Sequence, residues 1–297
     1  PIYKKTNDHK SLAIDLGNLT TSNKTSIQDI IKEDLNVTDL SLYCSSLGNQ
    51  ISGIELMKEI GLGISALQYL NKLEINCESL TTISDDEIQA LTHHIEKLFI
   101  ESLTLNFSWC EGVSDKSIYL LGKSIKQLLC LEYLSLDFSN CIQISDSSLE
   151  SIKAVLQSSK LKHLRLDLQN CPNVTDSGAY HLGAGLKCCH TLKQLMLDFQ
   201  NCKNITDNSL TFIGESLKKI PTLQNLSLDF SSNILFPNKN ITDRGLNDIS
   251  QGISTLDSLQ YFSLNLDNCY NITDISILTD ALKGRNCLKN LSLNLNR

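Results

Sequence analysis

Residues 131–146 read LEYLSLDFSNCIQISD, residues 161–176 read LKHLRLDLQNCPNVTD, and residues 192–207 read LKQLMLDFQNCKNITD. Three near-copies of one string decide the fold, because self-similarity at a fixed period marks a stacked array. In each copy apolar residues alternate with polar ones: Leu134-Leu136-Phe138, Leu164-Leu166-Leu168 and Leu195-Leu197-Phe199. Alternation of period two places them on one face of a short strand. Outward from this centre the triplet recurs at Leu103-Leu105-Phe107, Leu226-Leu228-Phe230, Phe262-Leu264-Leu266 and Leu291-Leu293-Leu295. Weaker copies stand at Leu12-Ile14-Leu16, Leu40-Leu42-Cys44 and Leu73-Ile75-Cys77. The spacing is roughly 30 residues throughout, within the range of repeat architectures. One step, from Leu228 to Leu264, is longer at 36 residues.

The second half of each unit has a different period. Five positions past the triplet centre stands Cys110, Cys141, Cys171, Cys202 or Cys269, with Asn233 in one copy. Then comes Ser/Thr-Asp: Ser84-Asp85, Ser114-Asp115, Ser145-Asp146, Thr175-Asp176, Thr206-Asp207, Thr242-Asp243 and Thr273-Asp274. A hydroxyl or carboxylate here can cap the free N–H groups that open a helix. Apolar residues follow at helical spacing, as in Leu149, Ile152 and Leu156, or Leu210, Ile213 and Leu217. Each unit therefore reads as strand, loop and helix.

These strings resemble the leucine-rich repeat family, whose frame is L-x-x-L-x-L-x-x-N/C. The Cys and Ile-Thr-Asp ending is similar to the cysteine-containing subclass, also found in F-box adaptors, while repeat length and regular helices are closer to ribonuclease-inhibitor-like repeats. The resemblance covers residues 11–297, loosely over 11–102 (divergent repeats 1–3) and closely over 103–297 (repeats 4–10), after a lead-in at 1–10. It implies an α/β solenoid of about ten units, shaped as a horseshoe, with parallel strands on the concave side and helices outside. It implies no single function, since one fold hosts many kinds of recognition.

Composition narrows the classes. Of 297 residues, 41% are hydrophobic and 20% charged, which excludes general disorder. Four prolines and 14 glycines exclude collagen-like and low-complexity chains. No stretch approaches the ~20 apolar residues of a membrane helix, so no membrane partner is expected. A formal charge of −7 argues against nucleic acid and favours basic partners. The chain begins at Pro1, which reads as a fragment or a processed product. Its 11 cysteines are odd in number and include no CxxC, and no HxxxH occurs. No metal, disulfide framework or cofactor is expected, and the thiols read as reduced in an intracellular, cytoplasmic protein. Ten Asn-x-Ser/Thr sequons, at Asn18, Asn23, Asn36, Asn106, Asn173, Asn204, Asn225, Asn240, Asn271 and Asn290, point instead to secretion. Four of them arise from the repeat loop itself, where helix capping accounts for the threonine.

Two surfaces are candidates for partner binding. The residue after each strand centre gives a column of Asn106, Asp137, Asp167, Asp198, Asp229 and Asn265 on the concave face, flanked by Arg165. Carboxylates about 4.8 Å apart repel unless water, a cation or a basic partner screens them. The alternative is a solvated face inherited by duplication. The second surface is the loop edge at which strands exit, with Trp109, Leu235, Phe236 and Tyr270. There the longer step adds a loop read as Ile234–Asn238, and aromatic anchors on a polar rim suit binding. Phe236 folding back over the core is the alternative.

No Gly-x4-Gly-Lys-Ser/Thr, HExxH or Gly-x-Ser-x-Gly occurs. Gly183-Ala-Gly185 lies in a helical stretch, and the histidines form no triad with a nucleophile. The chain is thus read as non-catalytic, a protein-interaction module. A filament or assembly subunit, stacking through the open end left after the tenth strand at Arg297, is an alternative. A regulatory segment of a longer kinase or F-box-type adaptor is another.

Overall fold

The computed structural model describes residues 3–5, 10–16, 26–44 and 52–296. Asn18 and Asn23 lie outside the described residues. The chain forms two compact units, Pro1–Cys141 and Ile142–Arg297.

The first unit holds strands β1 (Tyr3–Lys5), β2 (Ser11–Asp15), β3 (Asp39–Tyr43), β4 (Lys72–Asn76), β5 (Ser102–Asn106) and β6 (Tyr133–Asp137). Between them run helices α1 (Ile27–Lys32), α2 (Gly53–Ile64), α3 (Asp85–Ile95) and α4 (Asp115–Ile125). β1 pairs antiparallel with β2; from β2 to β6 every pairing is parallel and in sequence order. The second unit alternates α5 (Asp146–Leu156), β7 (His163–Asp167), α6 (Asp176–Leu186), β8 (Gln194–Asp198), α7 (Asp207–Leu217), β9 (Asn225–Asp229), α8 (Asp243–Ile253), β10 (Tyr261–Asn265), α9 (Ser276–Leu282) and β11 (Asn290–Asn294). Its strands β7 to β11 are again parallel neighbours.

Register follows from the repeat. Leu164, Leu195, Leu226, Phe262 and Leu291 stand side by side, and Leu166, Leu197, Leu228, Leu264 and Leu293 form the next row. All but the outermost pair are buried. A one-residue slip would turn every such row to the opposite face, so the register is strongly specified. Two positions past each strand centre the sequence places a third buried row, and its rings stack. Phe107 and Phe138 lie 6.3 Å apart at 7°, and Phe199 and Phe230 lie 5.6 Å apart at 2°.

The cysteine row is also buried, and its thiols do polar work. Cys110 donates to the Cys77 carbonyl, Cys141 to Phe107 and Cys202 to Leu168, each at 3.1 Å. Each of these bonds reaches one repeat back. Burial pushes the Cys110, Cys202 and Cys269 thiols up to about 12. The turn ahead of this row needs a left-handed residue, supplied by Asn140, Asn170, Asn201 and Asn268, each with positive φ. Asn tolerates that conformation best after Gly. Trp109, with φ of 61°, occupies the same turn position in the first unit.

Helix starts are tied across repeats by the Ser/Thr-Asp pair. Thr175, Thr206 and Thr242 each accept the N–H two residues on. Their own N–H and hydroxyl groups donate to the aspartate of the previous repeat. Thr206 reaches Asp176 at 2.9 and 2.6 Å, and Thr242 reaches Asp207 at 2.7 Å through both groups. The sequon asparagines join this ladder. Asn173, Asn204 and Asn271 donate their side-chain amides to the carbonyls of Ile142, Pro172 and Lys239.

The long repeat corrects the sequence reading. Asn233 is exposed and leaves the cysteine row. Asn238 takes its place: it is buried, and its amide donates 3.1 Å to the Ile205 carbonyl. Counted back from the Ile-Thr-Asp cap, Asn238 holds the same place as Cys202. The extra residues are therefore 233–237 rather than 234–238. Gly183 is a packing glycine, since a Cβ there would lie 2.8 Å from the Phe212 carbonyl oxygen.

Candidate functional site

The strand face turned away from the helices carries the aspartate column. In the second unit Asp167, Asp198, Asp229, Asn265 and Asn294 stand in register. The first unit holds Asn76, Asn106 and Asp137 in the equivalent places. Each Oδ1 accepts the backbone N–H two residues on. The distances are 3.0 Å at Asp137, 3.2 Å at Asp167, 2.8 Å at Asp198, 2.9 Å at Asp229 and 3.1 Å at Asn265. This Asx turn ends the strand, and Asp and Asn serve it equally. That is why the two residue types exchange along the column.

Oδ2 distinguishes the carboxylates. Asp167, only 7% exposed, faces the Arg165 guanidinium at 3.4 Å. Oδ2 of Asp229 accepts from the Asn265 amide at 2.7 Å. Asp198 sits between them, and no described residue donates to its Oδ2. Its carboxyl rises from 3.8 to about 7, chiefly because burial disfavours the charge, and further because Asp167 and Asp229 flank it. The Gln200 N–H and Arg165 work the other way and do not win. Arg165, Asp167, Asp198 and Asp229, together with Met196 and Ser227, line a shallow cleft of about 90 Å³.

The residues of the predicted loop edge differ in exposure and in partners. Trp109 is a first-unit turn residue, 55% exposed. Tyr270 is half-buried in the second unit, and its hydroxyl lies 3.3 Å from Oδ1 of Asn268. Phe236 does not fold back onto the core. It is 61% exposed, beside Ile234 and Leu235, and the Lys203 ammonium stands 4.4 Å from its ring centroid.

Among the described residues no group of three His, Cys, Asp or Glu side chains is placed to hold a metal ion. No helix among them is long and apolar enough to cross a membrane.

No protein-family profile matches the chain. No curated protein matches it in sequence. In solved structures, a chain of the crystal structure of the Rad7 and Elc1 complex in yeast superposes with a TM-score of 0.52 at 20% identity. The match covers 97% of this chain and 70% of that one. Together with the in-register strand–helix repeats, this decides the architecture. The fold is a leucine-rich-repeat solenoid. At this identity the likeness carries the fold alone.

Within the leucine-rich repeats, two functional candidates escaped the sequence reading: Lys203 and Lys239. Their signal was the repeat frame itself. Counting back from the Ile-Thr-Asp cap puts Lys203 and Lys239 in one column of neighbouring repeats, each directly after the cysteine place. Counting forward from the strand, across the extra residues, hid that equivalence.

Proposed function

We propose that this chain is a non-catalytic protein-interaction module whose second unit receives a Lys/Arg-rich segment on its aspartate face. One observation carries the reading. Asp198 is a carboxylate held near neutrality with a free oxygen, between two carboxylates whose outer oxygens are already engaged. A partner cation at Asp198 would relieve the repulsion and gain a charge-assisted hydrogen bond. The yeast structure being that of a complex is in keeping with a docking role. The row of buried thiols favours the cysteine-containing subclass of repeats and a reducing, cytoplasmic compartment.

The test uses fluorescein-labelled oligo-arginine as probe. Asp167→Asn, Asp198→Asn and Asp229→Asn together keep every Asx turn and remove three carboxyl groups. We expect binding to weaken about tenfold or more, one tenfold step being ~1.4 kcal/mol. A control with Asp86→Asn, Asp257→Asn and Asp280→Asn removes three carboxylates from exposed positions off this face and leaves binding nearly intact. Equal loss in both variants, or no loss in the first, defeats the proposal.

A further inference from the structure

The extra residues of the long repeat build a surface unlike the aspartate face. Ile234, Leu235 and Phe236 are exposed by 68%, 75% and 61%, three adjacent apolar side chains in water. Contiguous exposed apolar surface of this kind marks interaction sites. The base beneath them is fixed. Buried Ser232 donates to the Asn268 carbonyl at 3.2 Å and accepts the N–H of buried Asn238 at 2.8 Å. The tip is a hydrogen-bonded turn: the Leu235 N–H reaches the Asn233 side chain at 2.8 Å and the Phe236 N–H reaches the Asn233 carbonyl at 2.9 Å. A loop braced at both ends loses little further entropy when something docks on it.

Beside this tip opens a pocket of about 260 Å³, lined by Phe236, Pro237, Lys203, Lys239 and neighbouring asparagines and serines. Its described lining holds two lysines and no carboxylate. In a chain of net charge −7 that is a local reversal of sign. The Lys203 ammonium lies over the Phe236 ring, so the cation and the apolar wall form one feature.

We propose that this loop pocket docks an acidic-apolar peptide segment: an Asp or Glu carboxylate between Lys203 and Lys239, flanked by an aliphatic or aromatic residue against Phe236 and Leu235. Charge complementarity selects this occupant over a basic one, which the two lysines repel. The inference rests on the chain being an interaction module, yet it uses a different surface and the opposite charge from the aspartate face.

The experiment is a selection of random displayed peptides on the intact chain. Enriched sequences are then synthesised and measured by fluorescence anisotropy. We expect enrichment of peptides with a carboxylate within two residues of a large apolar side chain. Their affinity should fall at least tenfold with Lys203→Glu/Lys239→Glu and with Phe236→Ala. It should be unchanged with the three aspartate-face Asn substitutions. Circular dichroism melts confirm that each variant folds, and Lys203→Arg/Lys239→Arg, which keeps the charge, should retain binding. No enrichment, enrichment of basic peptides, or binding indifferent to the loop variants overturns the proposal. Peptides lost only with the aspartate-face variant would support that face and sink this one.

Discussion

Asp198 shows how one position can serve the fold and load it. Its Oδ1 holds a turn, as Asn265 does two repeats away at the β10 end. Its charge is what the site adds. The folded carboxyl titrates near 7 against 3.8 for the ordinary group, so the folded state holds a proton that the unfolded chain releases between these values. The contribution of this group to stability is therefore full below pH 3.8, falls as pH rises, and reaches its floor above about 7. Asp198→Asn keeps the turn and lacks the charge. It should match the parent at pH 4 and exceed it at pH 8 by about 1–2 kcal/mol, a figure discounted for partial solvent access. Urea midpoints at the two pH values check this; a variant equally stable or weaker at pH 8 contradicts the electrostatic reading of the site. Trp109 is the other informative residue. A left-handed φ is costly for an aromatic side chain, and its neighbours in that column are mostly Asn.

At the scale of elements, the aspartate opening each helix matters most for the next repeat. Asp176 opens α6 and accepts from the N–H and hydroxyl of Thr206 and from the hydroxyl of Ser209, which is fully buried at the start of α7. Asp176→Ala strands those donors. We expect a loss of about 2–4 kcal/mol, read as a shift in the denaturant midpoint, since orphaned buried donors cost more than the bond contributes. Loss below half a kilocalorie would show the ladder to be ornamental. The helices also approach closely: a Cβ at Gly252 of α8 would lie 2.4 Å from the Gly214 carbonyl oxygen of α7. Glycine there permits backbone contact that any side chain would prevent. The strand, the helix and the capping pair were all legible in the sequence, because each depends on local period and hydroxyl placement. The Asx role of the aspartate column was not, because the acceptor geometry exists only once the turn has formed.

For the molecule as a whole, burial sorts the thiols. Eight of the eleven cysteines are buried and three, Cys130, Cys188 and Cys287, are exposed. Native maleimide labelling should modify those three alone, and unfolding in denaturant should release the rest; early labelling of Cys110 or Cys202 would contradict the stacked repeats. The sequence by itself determined the repeat, its strand and helix halves, and the rows that face the core, because burial of a periodic apolar pattern leaves one register open. It named the Asp167, Asp198 and Asp229 column from the same period, and Phe236 from the one long step that breaks it. Only the tertiary structure decided what each could do. It joined the outer oxygens of Asp167 and Asp229 to Arg165 and Asn265 and left Asp198 between them. It returned Asn238 to the cysteine row and set Lys203 over Phe236. Apart from the Arg165–Asp167 pair, those relations link residues more than 30 positions apart, and the energies of all of them depend on distance and burial, which chain order does not encode.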